Sequence, residues 1–217
     1  MSHEIIIACV QTFYMVFMSV LVSSIIGIPL GIWLETSKPG NVLENAYCHR
    51  ILDIIINIGR SIPFIILLIA IIPFTRLIVG TSIGTTATIV PLTVGAIPFV
   101  ARLTETSLME VPKGLIETGL AMGATSGQII TRFLLPEAWP GIISGITITA
   151  IALVNYSAMA GAVGGGGLGD VAIRYGYQRF QTGVMVITIV ILVIFVQLIQ
   201  FTGDFFTKKL NRGEKLK

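Results

Sequence analysis

The sequence predicts an all-α integral membrane protein with five transmembrane helices, its N-terminus outside and its C-terminus cytoplasmic. Three observations carry that expectation. The 217-residue chain is 54% hydrophobic and only 12% charged, with a mean hydropathy of +0.91, whereas a soluble domain carries about 25% charged residues. Too little polar surface is present to coat a soluble core. Apolar stretches recur over about 8–34, 51–74, 83–104, 138–160 and 183–206, each near the roughly 20 residues that cross a bilayer as a helix. No ten-residue alternation and no Asn-Gly hairpin signal points to a barrel instead.

The first stretch follows Met-Ser-His-Glu, which has no basic residue. A secretory signal needs a positive start and a small-residue cleavage site, so this stretch is expected to be a retained span. Pro29, Pro63, Pro91 and Pro98 fall inside apolar stretches, where neighbouring helices or water can satisfy the freed backbone groups. Cys9 and Cys48 sit at opposite ends of the first span, too far apart for a disulfide within the chain. His3 and His49 have no partners at metal-ligand spacing, so no metal site is expected.

In the second stretch Asp53, Asn57 and Arg60 recur at helical spacing and form one polar stripe. A charge within a span costs about 2.5–3.5 kcal/mol, so Arg60 should face protein or water. The stripe either ties this helix to its neighbours or lines a pathway for a charged solute. Late in the fourth stretch, Asn155, Tyr156, Ser157 and Met159 interrupt an apolar helix. They either line a pathway or serve as helix-packing polar groups.

Gly164, Gly166 and Gly169 then satisfy a Gly-x-Gly-x-x-Gly pattern. A dinucleotide site would need a preceding strand and an acidic residue about 20 positions later. Neither is present, so the glycines are expected to let helices approach closely or to move during gating. Past the fifth stretch, Lys208, Lys209, Arg212, Lys215 and Lys217 crowd a basic tail over 207–217. Beside a span this is a cytoplasmic anchor rather than a nucleic-acid site.

That tail fixes the orientation. Lys38, Arg50, Arg102, Lys113 and Arg132 then fall inside with the five tail residues, against Arg76, Arg174 and Arg179 outside. The ten-to-three bias follows the positive-inside rule and places the polar 105–137 segment in the cytoplasm.

Within that segment Val111-Pro112 opens a short helix over 113–122 carrying Leu115, Ile116, Leu120 and Met122, with proline suited to the first turn. Gly123 ends it as a left-handed cap. Thr125 and Gln128 fit a capping box that opens a second short helix to Leu135. Pro136 and Pro140 punctuate the start of the fourth span. Two short helices bent at a glycine make a knob able to dock in a groove of a soluble partner; otherwise such helices lie on the membrane surface.

Here the residues carry a resemblance. Glu117, then Gly123, then Leu135-Pro136 ending thirteen residues further on, resembles the cytoplasmic loop signature of ABC importer permeases. The family pattern begins Glu-Ala-Ala; Glu117-Thr118-Gly119 keeps small residues at both places. Arg60-Ser-Ile-Pro-Phe-Ile-Ile-Leu-Leu, the Ile72–Gly84 stretch, Tyr156–Gly169 and Arg174-Tyr-Gly-Tyr look like the permeases of methionine importers, a similarity running over roughly 9–204.

The resemblance implies a type I ABC importer permease fold in the bacterial inner membrane. It also implies a homodimeric pore, two ATPase subunits docked on residues 112–136, and an extracytoplasmic substrate-binding protein. Glu117, Ala121, Met122, Gly123, Ala124, Leu135 and Pro136 would make the ATPase contact. Arg60, Asn155, Tyr156, Ser157 and Met159 would line the pathway. The solute would be methionine, D- or L-, with another small amino acid or an osmoprotectant as the alternative. A passive channel or scaffold subunit is the reading from a different class. No Gly-x-x-x-x-Gly-Lys-Ser/Thr occurs, so ATP and magnesium would belong to the partner ATPase. No Ser/His/Asp or Cys/His set shares one face and depth, and the chain is expected not to be an enzyme.

Overall fold

The computed structural model describes the backbone of residues 2–214 and side chains over 3–210. Lys215 and Lys217 of the predicted tail lie outside the described residues, as does the Arg212 side chain. The described chain is helical with no strand: α1 Ser2–Thr36, α2 Ala46–Ser61, α3 Phe64–Ala70, α4 Ile72–Val79, α5 Thr85–Met109, α6 Lys113–Ala121, α7 Ser126–Ile129, α8 Leu135–Gly161, α9 Gly167–Val171 and α10 Thr182–Glu214. Among these residues α1, α5, the run Ser126–Gly161 and α10 are long and apolar enough to cross a bilayer, and the bent α2–α3 pair is a further candidate.

Two sequence expectations change. The stretch predicted as one span over 51–74 is broken, because α2 and α3 meet at 100°. Pro63 (φ −57°, ψ 132°) explains the break: it offers no N–H and biases the residue before it away from helical geometry. Pro136 and Pro140, expected to punctuate the entry to the fourth span, instead lie within continuous helix. The preceding turn, Ile130–Leu134, is a π-helix in which the Leu135 N–H reaches back five residues to the Ile130 carbonyl. That wider turn accommodates a proline with no amide hydrogen to donate. Residues 207–214, the described backbone of the predicted basic tail, are the last part of α10.

Packing divides the chain into two compact units. One comprises the residues up to Ser23, Ile62–Ala96 and Ile148–Phe201. Its core gathers Met15, Val16, Leu92, Leu153, Val154 and Ala160 around Phe64 and Leu68. The glycine-rich loop after α8 is held from two sides. The Gly84 N–H donates to the Gly164 carbonyl (3.0 Å). Gln11 Oε1 and Thr12 Oγ1 accept from the Gly167 and Leu168 amides, both at 2.9 Å. Those amides belong to the first turn of α9, whose own N-cap has no side-chain bond, so α1 caps α9 from 156 residues away. The close approach expected of these glycines is realised: a side chain at Gly169 would strike the Ala158 backbone.

The other unit comprises Ser24–Ser61, Ile97–Thr147 and the chain from Thr202. Here Gly27 and Gly31 of α1 lie against Val100, Ala101 and Thr104 of α5, the small-xxx-small spacing that lets membrane helices pack backbone to backbone. Leu34, Ile56 and Ala101 form one core. Leu108, Val111, Ile129, Leu134, Ala138 and Ile142 form another. The predicted external charges Arg76, Arg174 and Arg179 all belong to the first unit. Lys38, Arg50, Arg102, Lys113, Arg132, Lys208 and Lys209 all belong to the second.

Candidate functional site

The 112–136 segment is built by local rules that its sequence obeys. Pro112 (φ −59°, ψ 128°) stands at the N-cap of α6, where an amide hydrogen would have no helical partner. Helix α6 stops because Gly123 takes φ +73°, a left-handed conformation open to glycine. The Gly123 amide donates to the Leu120 carbonyl (2.9 Å) and the Ala124 amide to the Gly119 carbonyl (3.0 Å). These two bonds make a Schellman ending.

One residue later the capping box is present. The Gln128 amide donates to Thr125 Oγ1 (3.4 Å), and the Thr125 amide donates to Gln128 Oε1 (2.9 Å). Thr125→Ala should loosen α7 by about 1 kcal/mol. Faster amide exchange at Gln128 is the expected result, and unchanged exchange would argue against the cap.

Packing sorts the predicted contact residues. Leu115, Ile116, Ala124 and Leu135 turn toward the buried cluster of Ile129 and Leu134. Gly119 lets Ile129 and Phe133 close against α6, with a Cβ there lying 3.3 Å from Ile129. Glu117, Ala121 and Gly123 face outward, together with Met122 (74% exposed) and Leu120 (58%). Pro136 is also exposed, at the start of α8. The outcome is a rigid turn displaying one carboxylate and two large apolar side chains. Leu120, which the sequence reading did not include among the contact residues, shares this exposed surface; its signal is the i, i+3 spacing from Glu117, whereas Leu115, five positions earlier, turns to the buried cluster.

The predicted pathway residues take different faces of α8. Asn155 and Met159 (49% exposed) share one exposed face at i, i+4 spacing. The Tyr156 ring stacks on Phe64, centroids 4.6 Å apart and planes 5° from parallel. Ser157 is buried and its hydroxyl donates to the Val154 carbonyl (2.7 Å).

The polar stripe forms around a different arginine from the one expected. Arg102 Nη2 of α5 donates to Asp53 Oδ1 (2.6 Å) and Asn57 Oδ1 (2.8 Å), while Arg60 is exposed with its guanidinium 5.9 Å from the Phe99 ring centroid. Asp53 and Asn57, four residues apart, share a helix face toward α5, and a guanidinium fork reaches both. Nearby, burial pushes the Lys38 ammonium pKa down, but hydrogen bonds to Glu105 and Glu35 outweigh it and leave the pKa raised.

The family described as binding-protein-dependent transport system inner membrane component matches residues 27–214. A Vibrio cholerae protein named as a probable D-methionine transport system permease, MetI, is 56% identical over 210 residues, covering 97% of this chain and 93% of its own. The Escherichia coli K12 D-methionine permease MetI is 56% identical over 151 residues, 70% of each chain. Among solved structures, an inward-facing MetNI methionine ABC transporter chain has a TM-score of 0.95 at 51% identity, with 97% of both chains covered. A second crystal form gives 0.91 at 54% identity, covering 92% of this chain and 93% of that one. A crystal structure of an amino acid ABC transporter, at 17% identity and TM-score 0.79 over 96% of this chain and 94% of its own, shares the fold.

Proposed function

This chain belongs to the family of binding-protein-dependent transport system inner membrane components, and we propose that it is the methionine-translocating permease subunit of an ATP-driven importer. The observation that carries this reading is the outward-facing turn Glu117–Gly123, a preformed docking knob on a chain that is otherwise apolar helix. Relatives named for methionine transport, more than half identical over nearly the whole chain, support the choice of solute.

Two copies form the pore in the bacterial inner membrane. Two ATPase subunits seat on residues 112–136, bringing their own ATP and magnesium, and an extracytoplasmic binding protein delivers methionine. Glu117, Leu120, Ala121, Met122 and Gly123 make the ATPase contact, with Ala124, Leu135 and Pro136 setting its shape. The ten-to-three bias of cations between the predicted inside and outside segments supports the orientation. Asn155 and Met159 line the solute's path, and Tyr156 and Ser157 brace that stretch of α8.

Docking acts as a population shift. Nucleotide-driven movement of the ATPases favours one of two helix arrangements, and near-complete switching needs a differential affinity of about 5 kcal/mol. The test is uptake of labelled methionine into proteoliposomes holding the assembled importer and internal ATP. Uptake should be ATP-dependent and competed by unlabelled methionine. Uptake competed instead by an osmoprotectant, or independent of ATP, would overturn the reading.

A further inference from the structure

A chain of buried and half-buried charges joins the end of α1, the loop after it, α2 and α5. Lys38, in the loop between α1 and α2, contacts Glu105 Oε1 at 2.8 Å and Glu35 Oε2 at 2.5 Å. Arg102 then links Glu105 Oε2 (2.5 Å) to Asp53 Oδ1 (2.6 Å). The Glu105 side chain is 4% exposed. Asn41 Nδ2 holds Glu35 at its carbonyl (3.0 Å) and carboxylate (3.2 Å), and Arg102 Nε is buried with no acceptor among the described residues.

Such a network is an unusual way to gain stability. Buried ion pairs give back in desolvation much of what they gain in attraction, and apolar replacements are often equally stable. What they do supply is fixed geometry between the elements that carry them. This network joins the end of α1, the 37–45 loop, α2 and α5.

The same loop touches the docking segment. The Ser126 hydroxyl donates to the Val42 carbonyl at 3.4 Å. Val42 packs in the apolar cluster that contains Leu115, Ile116, Ala124 and Ile129. Displacement of residues 113–129 therefore reaches Lys38 through a short loop, and reaches α5 and α2 through ionic contacts.

We propose that Glu105 and Lys38 are positioning residues for transport: the carboxylate of Glu105, gripped by Lys38 and Arg102, passes movement of the docking segment to α1, α2 and α5. The inference rests on the function proposed above.

The experiment uses the complete importer, ATPase and binding protein included, in proteoliposomes, reading methionine uptake and ATP hydrolysis together. Glu105→Gln and Lys38→Met should each lower methionine moved per ATP by about ten-fold while hydrolysis persists, an effect within the range by which members of one ion-pair network couple. The double variant should be no worse than the worse single, because both act on one path, and Lys38→Arg should retain the native ratio. Lys38→Met leaves the Arg102–Glu105 pair in place, so it keeps the test open if Glu105→Gln fails to assemble. A lowered melting temperature with unchanged methionine per ATP would overturn the inference and leave a purely structural network. If the native importer moved no methionine, the function proposed above would fail instead.

Discussion

Gly123→Pro should reduce methionine uptake by the assembled importer about 30-fold or more, the loss expected when a central interface contact worth about 2 kcal/mol is removed. Proline fixes φ near −65°, whereas Gly123 sits at +73°. The substitution also deletes the amide that bonds the Leu120 carbonyl and drags Ala124 off the Gly119 carbonyl. The turn that displays Glu117, Leu120, Ala121 and Met122 would then open, though the cores on which the rest of the chain folds do not include Gly123.

Gly123→Ala is the matched control. Nothing lies within 4 Å of a Cβ at that position, so alanine meets only the left-handed strain, about 1–2 kcal/mol, and should couple with a smaller deficit. Glu117→Lys reverses an exposed charge without touching the turn, and should weaken co-purification of the ATPase subunits at unchanged permease yield. Full ATPase retention and normal uptake in both Gly123→Pro and Glu117→Lys would remove the docking surface from consideration.

The second large effect lies far from the docking turn. Gly169→Val should nearly abolish recovery of folded permease from the membrane. A Cβ at Gly169 would sit 2.5 Å from Ala158 Cα and 2.8 Å from the Ala158 carbonyl carbon. These are backbone atoms of α8, which cannot rotate aside as a side chain can. Overpacking a tight core costs about 1–3 kcal/mol and sometimes more; here α9 must also leave the Gln11 and Thr12 side chains that cap it. Gly183→Ala, where an added Cβ meets nothing, should be neutral or gain up to about 1 kcal/mol. The two are compared by membrane yield and by the midpoint of thermal aggregation in detergent. Equal midpoints would show that α8 and α9 are not held in the contact described.

What could be read from the sequence was local. Gly123 as a helix stop and Thr125 with Gln128 as a start are decided within four residues, and the structure reproduces both. The apolar spans are decided by length alone. The features that escaped depend on partners distant in sequence or on choices between allowed geometries. Asp53 pairs with an arginine 49 residues away, so Arg60, nearer in sequence, was the apparent partner. Pro63 and Pro136 carry the same local signal, but one breaks its helix at 100° and the other sits beside a π-turn inside a continuous helix. Which of them breaks depends on whether the preceding turn can widen. Leu115 and Leu120 are equally apolar, and only the tertiary cluster decides which one is covered.

The caps that α1 lends to α9 set a timetable for biogenesis. Gln11 and Thr12 are made well before the amides they bind, which lie 156 positions later. At about 5–20 residues per second of synthesis, roughly 8–30 s separate Gln11 and Thr12 from Gly167 and Leu168. Through that interval the Gln11 side-chain oxygen and the Thr12 hydroxyl oxygen lack their final donors, in a lipid setting that penalises unsatisfied polar groups. Early release of a half-made chain into lipid should therefore favour misassembly, and a nascent chain truncated just before Gly167 should stay associated with the insertion machinery longer than one extended through α10.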